Sequence, residues 1–88
     1  MTIDAFPEVL KPYLDEAGRI TRLPAKYSKK VTLSRWLLTF IEPGRRYSEK
    51  EISDLFEEYV ADFALMRRML VDSGELMRET DGSAYWRA

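Results

Sequence analysis

The 88-residue sequence contains no cysteine and no histidine. Without cysteine, the chain has no disulfide, no thiolate nucleophile and no sulfur ligand for zinc. Without histidine, it lacks the commonest general base and metal ligand. The carboxylate pairs 15–16 and 57–58 are sequence neighbours, and no pattern places them in a common pocket. The composition therefore predicts a protein that is not an enzyme, with no catalytic residue, no metal site and no cofactor.

Long apolar runs are also missing. The best stretch covers residues 36–38 and resumes at 40–41, far short of the roughly 20 apolar residues that a membrane helix needs. The amino terminus carries Asp4 and no basic region before an apolar stretch, so no signal peptide is indicated. We expect a cytoplasmic protein without a membrane partner, folded as a single compact domain.

Charge is distributed unevenly, although the net charge is only −1. Residues 19–46 carry eight basic side chains and one acidic side chain, a net of +7. Residues 1–18 have a net charge of −3, and residues 47–88 have −5. The basic segment permits an anionic partner in spite of the near-neutral total.

Residues 1–18 are predicted to form an N-terminal helical arm. Thr2 or Asp4 is in position to cap it, and apolar side chains recur at helical spacing. These side chains are Phe6, Val9, Leu10, Tyr13 and Leu14. Because Pro12 removes an amide donor, the arm is either one kinked helix or two short pieces. The alternation over residues 19–23 then favours a short strand before a proline.

A first core helix is predicted over about 29–41. Ser28 is in position to cap it, and the Pro-Gly pair at 43–44 stops it. Its expected buried stripe comprises Leu33, Trp36, Leu37, Phe40 and Ile41. Residues 45–47 follow as a short extended link, where many winged helices pair a strand with the wing.

The next two helices have the order of a helix-turn-helix. Ser48 and Glu51 have the spacing of a capping box, which opens a helix over about 49–58. The stripe of Ile52, Leu55, Phe56 and Tyr59 is its buried face. Asp62 is in position to cap a second helix over about 62–73. No glycine or proline separates the two, so one long bent helix is the alternative, and two helices are favoured.

Two short strands, about 76–79 and 83–87, are predicted after Gly74 ends the last helix. They flank an Asp-Gly pair at 81–82, a strong hairpin signal. At least one of Tyr85 and Trp86 should belong to the core. The predicted fold class is therefore α+β and winged-helix-like. It has a three-helix core and a C-terminal β-hairpin wing over residues 19–88, plus the N-terminal helical arm.

A set of short motifs carries a resemblance to a known family. They are Leu23-Pro24-Ala25-Lys26, Lys29-Lys30, Arg35-Trp36-Leu37, Glu42-Pro43-Gly44-Arg45, Tyr47-Ser48-Glu49, Arg67-Arg68, Leu70-Val71-Asp72, Gly74, Asp81-Gly82-Ser83 and Tyr85-Trp86. Over about residues 19–87 the chain resembles the bacterial domain-of-unknown-function 2087 family. Members look like stand-alone small proteins or domains appended to predicted transcriptional regulators. The resemblance thus implies a regulatory setting, and it implies no chemistry, ligand or catalytic residue.

Seven basic side chains are the candidate nucleic-acid contacts. Lys26, Lys29, Lys30, Arg45 and Arg46 are candidates for phosphate contacts, and Arg67 and Arg68 lie on the predicted recognition helix. Each group also has an ordinary structural explanation. The lysines are then simply solvated, and Arg45 and Arg46 neutralise the acidic helix 49–58. Arg68 then pairs with Asp72, and Arg67 with Asp62 or an acidic residue of the preceding helix.

The leading functional hypothesis is a transcription-associated module of winged-helix type that binds double-stranded DNA or serves regulation. The acidic helix opposes DNA binding, because Glu49, Glu57 and Glu58 would repel phosphates, and the isoelectric point is about 5.5. The alternative is a protein-interaction or homodimerisation module that has the winged-helix fold and binds no DNA.

Overall fold

The computed structural model describes residues 6–88. After a short 3₁₀ helix, Glu8–Tyr13, come α1 (Tyr27–Leu38), α2 (Glu49–Glu57), α3 (Phe63–Asp72), β1 (Leu76–Arg78) and β2 (Tyr85–Arg87). Three α-helices followed by an antiparallel hairpin confirm the α+β, winged-helix-like fold. The predicted caps Thr2 and Asp4 lie outside the described residues.

In the part of the arm that the structure describes, residues 6–18, the chain forms one short 3₁₀ helix and not a kinked α-helix or two helical pieces. Pro12 lies inside it, and the amides of Leu10 and Leu14 bond to carbonyls three residues earlier. Proline lacks the donor that a longer α-helix would need at this point. Leu10 is fully buried, so the arm contributes a side chain to the same core as residues 19–88.

The strand predicted over 19–23 is wrong. Ile20 makes only isolated bridges, to Leu14 on one side and Val60 on the other. Its amide donates to the carbonyl of Tyr59 at 2.8 Å, and its carbonyl accepts from the amide of Ala61 at 2.9 Å. The partner is the joint between two helices, which offers peptide groups for one residue only. Strand pairing therefore does not extend beyond Ile20.

Both predicted ends of the first core helix are wrong. Lys26, not Ser28, is the N-cap of α1, and no side chain caps it. The Lys26 carbonyl accepts from the amides of Lys29 and Lys30, so Ser28 already lies inside the first turn. The helix ends at Leu38, and residues 39–41 continue as tighter turns with bonds three residues back. This tightening carries the fully buried Ile41 into the core.

The two helices after α1 are separate, as the sequence favours. The Ser48 hydroxyl accepts from the Glu51 amide at 3.0 Å, and the Glu51 carboxylate accepts from the Ser48 amide at 2.8 Å. This confirms the capping box. Asp62 caps α3 by accepting from the Leu65 amide at 3.4 Å.

The hairpin strands are shorter than predicted, with Met77 opposite Trp86 at their centre. Tyr47 adds a one-residue third pairing, because its amide and carbonyl exchange bonds of 2.8 and 2.7 Å with Tyr85. The expected contact between the 45–47 link and the wing is thus confirmed. Tyr85 is the core aromatic of its strand, with 2% of its surface exposed.

A single cluster of apolar side chains joins α1, α2, α3 and the hairpin. Its fully buried members include Leu33, Leu37, Ile52, Phe56, Met66, Leu70 and Leu76. One edge of this cluster is aromatic: Trp36 meets Phe6, Phe40 and Tyr59 edge-on at ring-centroid distances of 4.9–5.2 Å. Packing of the whole cluster holds α3 against α1, α2 and β1 and leaves the remaining face of α3 at the surface.

Candidate nucleic-acid interface

A groove of about 400 Å³ runs between α3 and the hairpin. Arg67 and Arg68 line it from α3, and Arg78 lines it from β1. Glu49 and Asp72 line it as well. The structure therefore brings the two predicted recognition-helix arginines together with a third arginine and two carboxylates.

Arg67 reaches back to the preceding helix. Its Nη1 donates to the Ser53 hydroxyl at 2.6 Å, and its guanidinium lies 6.0 Å from the centroid of the Tyr85 ring. The suggested ion pair with Asp62 or an acidic residue of α2 is not the contact seen. Asp62 is occupied at the helix cap, and Ser53 is the α2 side chain within reach. Arg67 thus has a structural contact on one side and the groove on the other.

Arg68 forms the predicted pair with Asp72, at 3.8 Å between Nε and a carboxylate oxygen. The two side chains are 79% and 69% exposed. An exposed pair one helical turn apart contributes only a few tenths of a kcal/mol. The Arg68 guanidinium is therefore held weakly and remains accessible from solvent.

Arg78 is a groove residue that sequence reasoning missed. Its Nε donates to the carbonyl of Glu79 at 3.1 Å, and its Nη2 donates to that of Thr80 at 3.2 Å. Its guanidinium also lies 5.8 Å from the centroid of the Tyr85 ring. The sequence did contain a signal for Arg78, which is a basic residue shortly before the Asp-Gly turn. A residue at that position lies at the flank of the wing.

Arg45 and Arg46 are compensated by carboxylates and stacked on aromatics. The Nη1 atom of Arg45 lies 3.3 Å from a carboxylate oxygen of Glu42, and its Nη2 atom lies 3.6 Å from a carboxylate oxygen of Glu51. Its hydrogen bond to Glu42 raises the pKa of its guanidinium. It also lies 4.5 Å from the centroid of the Tyr47 ring. The contact with Glu51 agrees with the alternative in which Arg45 neutralises the acidic helix.

Arg46 turns to the hairpin instead of the acidic helix. Its guanidinium lies 3.3 Å from a Glu79 carboxylate oxygen and 4.3 Å from the centroid of the Trp86 ring. Arg35, from the same basic segment, pairs with Glu75 at 3.1 Å. Three carboxylates of the acidic C-terminal half, those of Glu51, Glu75 and Glu79, therefore pair with three of the eight basic side chains of residues 19–46.

The lysines at the start of α1 differ from these arginines because they have no carboxylate partner among the described residues. Lys26, Lys29 and Lys30 form no ion pair with any residue in 6–88. The Lys29 ammonium lies 3.5 Å from the Tyr13 hydroxyl and over the face of the Tyr13 ring. Tyr27, between Lys26 and Lys29, is 72% exposed. We call these four residues the lysine surface.

The lysine surface lies beside the second groove that borders α3. This groove, of about 280 Å³, is lined by Tyr27 and Val31 of α1 and by Met69 and Ser73 at the end of α3. Helix α3 therefore has arginines along its hairpin side and the lysine surface beyond its α1 side. The seven predicted residues fall into three groups: a groove pair, the three lysines of the lysine surface and two compensated arginines.

Comparison with known families gives a match over residues 19–87 to the family described as "uncharacterized protein conserved in bacteria (DUF2087)". The chain belongs to the DUF2087 family. Comparisons with curated proteins and with solved structures gave no significant match. The matched region covers all three α-helices and both strands, and the family description assigns no activity to them.

The DUF2087 region contains a further surface, on α2. A groove of about 530 Å³ has Phe40, Tyr47 and Leu55 in its lining. Its charged lining comprises the carboxylates of Glu42, Glu51, Asp54 and Glu58 and the guanidinium of Arg45. We call it the acidic groove. Four carboxylates against one arginine leave this surface negative.

Metal sites and membrane spans are absent from residues 6–88. No group of three or more acidic side chains is arranged to hold a metal ion there. No helix in this part of the chain is long and apolar enough to cross a membrane.

Proposed function

We propose that this DUF2087 protein is a transcription-associated module of winged-helix type that binds double-stranded DNA. The observation that carries the proposal is the groove shared by α3 and the hairpin, with Arg67, Arg68 and Arg78 in its lining. In a winged helix, α3 is the element that enters the major groove and the wing lies beside the backbone. Arginine is the side chain best suited to guanine edges and phosphates there.

The lysine surface supplies the phosphate contacts in this proposal. Lys26 and Lys30 have no ion pair among the described residues and lie one turn apart at the start of α1, next to the groove that borders α3. Arg45 and Arg46 contribute less than their sequence position suggests, because each already pairs with a carboxylate. We therefore narrow the candidate contacts to the lysines, Arg67, Arg68 and Arg78.

The acidic side of α2 sets a limit on the docking geometry. Glu57 and Glu58 are exposed at its C-terminal end and would repel a phosphate backbone. The proposal accordingly places DNA across α3 and the hairpin, on the side away from this end of α2. Such a complex depends on few phosphate contacts, and its affinity without sequence recognition is low.

Titration with random-sequence duplex at two salt concentrations tests the proposal. The logarithm of the binding constant should fall by about 0.9 for each phosphate contact per tenfold increase in salt. Four or five contacts should therefore give a slope of about −4. Absence of binding at low salt would overturn the proposal. The same titration with heparin in place of DNA separates duplex recognition from general polyanion binding.

The proposed role is non-enzymatic, as expected for a chain without histidine or cysteine.

A protein-interaction or dimerisation module without DNA binding is the second candidate function. The acidic groove favours it, because it combines an apolar lining with a surplus of carboxylates that DNA cannot use. Only the second candidate uses the acidic groove, so the two candidates are tested separately.

A further inference from the structure

The acidic groove and the lysine surface lie at opposite ends of α1. Phe40 and Glu42 line the groove just after the helix ends at Leu38, while Lys26 caps its beginning. Helix α1 has 12 residues, which makes it about 18 Å long. The two oppositely charged surfaces therefore cannot meet within one chain.

The acidic groove retains negative charge after its internal pairs are counted. Arg45 contacts Glu42 and Glu51, and Lys50 contacts Asp54 at 2.8 Å. Glu58 forms no ion pair with the described residues and is exposed at the end of α2. Aromatic and aliphatic side chains below these carboxylates give the groove an apolar lining of the kind found in protein interfaces.

The lysine surface has the complementary properties. Its three ammonium groups have no carboxylate partner in residues 6–88, and all three lysines lie within three positions of Tyr27, which is 72% exposed. An exposed tyrosine among cations is suited to an apolar pocket with an anionic rim, since it can bury its ring and keep its hydroxyl hydrated. Tyrosine is also enriched in protein interfaces.

We propose that the acidic groove of one copy receives the lysine surface of a second copy, with Tyr27 inserted against the apolar lining. Charge complementarity selects this occupant, because the chain carries both halves of the contact and holds them too far apart to satisfy each other. The inference develops the protein-interaction candidate and does not depend on DNA binding. It is measured without nucleic acid, so its failure leaves the DNA proposal untouched.

Two double variants test the contact. Lys26→Gln with Lys30→Gln neutralises the lysine surface and leaves the acidic groove intact. Asp54→Asn with Glu58→Gln neutralises the groove and leaves the lysine surface intact. Light scattering at low salt and rising protein concentration should show self-association of the wild type. Each double variant should raise the dissociation constant about tenfold or more.

An equimolar mixture of the two variants is the decisive measurement. Each variant keeps the surface that the other has lost. The mixture should therefore associate at protein concentrations at which each variant alone stays monomeric. Recovery also shows that both variants are folded. Matched controls with the same charge changes elsewhere, Glu16→Gln with Glu57→Gln and Lys11→Gln with Arg46→Gln, should associate like the wild type.

Two results with the wild type and the double variants would each overturn the proposal. One is a wild type that stays monomeric at low salt up to the highest concentration reached. The other is a mixture of the double variants that stays monomeric while the wild type associates, because that result would place the contact elsewhere. If the matched controls also failed to self-associate as the wild type does, net charge and not this contact would control assembly.

Discussion

The Tyr85 hydroxyl donates a hydrogen bond of 2.9 Å to a carboxylate oxygen of Glu49. This bond joins β2 to the first turn of α2. The backbone of Tyr85 exchanges two further bonds with Tyr47, so one buried residue joins the hairpin both to α2 and to the 45–47 link. The same tyrosine ring lies under Arg67 and Arg78 at the edge of the α3 groove.

Ionisation of Tyr85 should destabilise the protein at alkaline pH. Burial of its ring, together with its bond to the Glu49 carboxylate, raises the pKa of the Tyr85 hydroxyl above the ordinary value of 10.0. Because the folded-state pKa is the higher one, this contribution to stability is complete below about pH 10 and disappears as pH rises through the raised pKa. Absorbance titration should show a tyrosine ionisation step above pH 10 that belongs to Tyr85.

Tyr85→Phe removes that late step and the hydrogen bond with it. At neutral pH we expect the free energy of unfolding to fall by about 1 kcal/mol, since a net hydrogen bond is lost while the ring remains packed. Tyr27→Phe is the matched control, because its ring is exposed, and it should leave stability unchanged. A late alkaline step that persists in Tyr85→Phe would contradict the assignment.

The capping box predicts a contrast between two serines. Ser48→Ala should lower the free energy of unfolding by about 1 kcal/mol, because the Glu51 amide loses its acceptor at the start of α2. For a domain of this size such a loss shifts the melting temperature by roughly 4–8 °C. Ser28→Ala should have little effect, since Lys26 is the N-cap of α1 and no side chain caps it. Equal losses for both serines would contradict the boundary of α1.

Local signals in the sequence are enough to predict the helix pair and the wing. The Ser48–Glu51 box, the Asp62 cap and the Asp-Gly turn each depend on residues within a few positions of one another. Where a feature depends on distant partners, the sequence is misleading. The strand expected around Ile20 is absent because its partner, the joint at Val60, accepts only one residue.

The candidate site shows the same difference between contacts of residues close in sequence and contacts of distant residues. Arg68 and Asp72 lie four residues apart, and this spacing alone predicts the pair that the structure contains. Arg46 and Glu79 are separated by 33 positions and meet only because the hairpin folds back beside the 45–47 link. Segment charge therefore overestimates the basic surface, and side-chain pairing across the fold decides which cations remain without a partner.

Gly74 is a position where the backbone conformation favours glycine. Its φ is +81°, and it follows α3 in a Schellman motif: its own amide bonds to the Val71 carbonyl and the Glu75 amide to that of Leu70, both at 3.0 Å. A methyl group added at Gly74 would meet no heavy atom within 4 Å beyond its chain neighbours, so the cost of Gly74→Ala comes from the backbone alone. We expect a loss of about 1 kcal/mol in urea unfolding. Gly74→Asn should lose less, because asparagine tolerates this conformation better.

Arg68→Gln and Arg67→Gln should separate DNA contact from structural support. Arg68 has only an exposed pair with Asp72, so its loss should leave the melting temperature unchanged and reduce the salt slope of duplex binding by about one contact. Arg67 also bonds to Ser53 on α2, so its loss should weaken binding and lower the melting temperature together. Arg46→Gln is the control for lost charge.

The control is informative because Arg46 already has a carboxylate partner. Neutralising Arg46 leaves Glu79 unpaired, so any decrease in DNA binding there reflects general charge and not contact with α3. A decrease for Arg68→Gln that exceeds the decrease for Arg46→Gln places DNA at the α3 groove. Equal decreases would mean that duplex binding follows net charge alone, and α3 would then lose its role as the recognition helix.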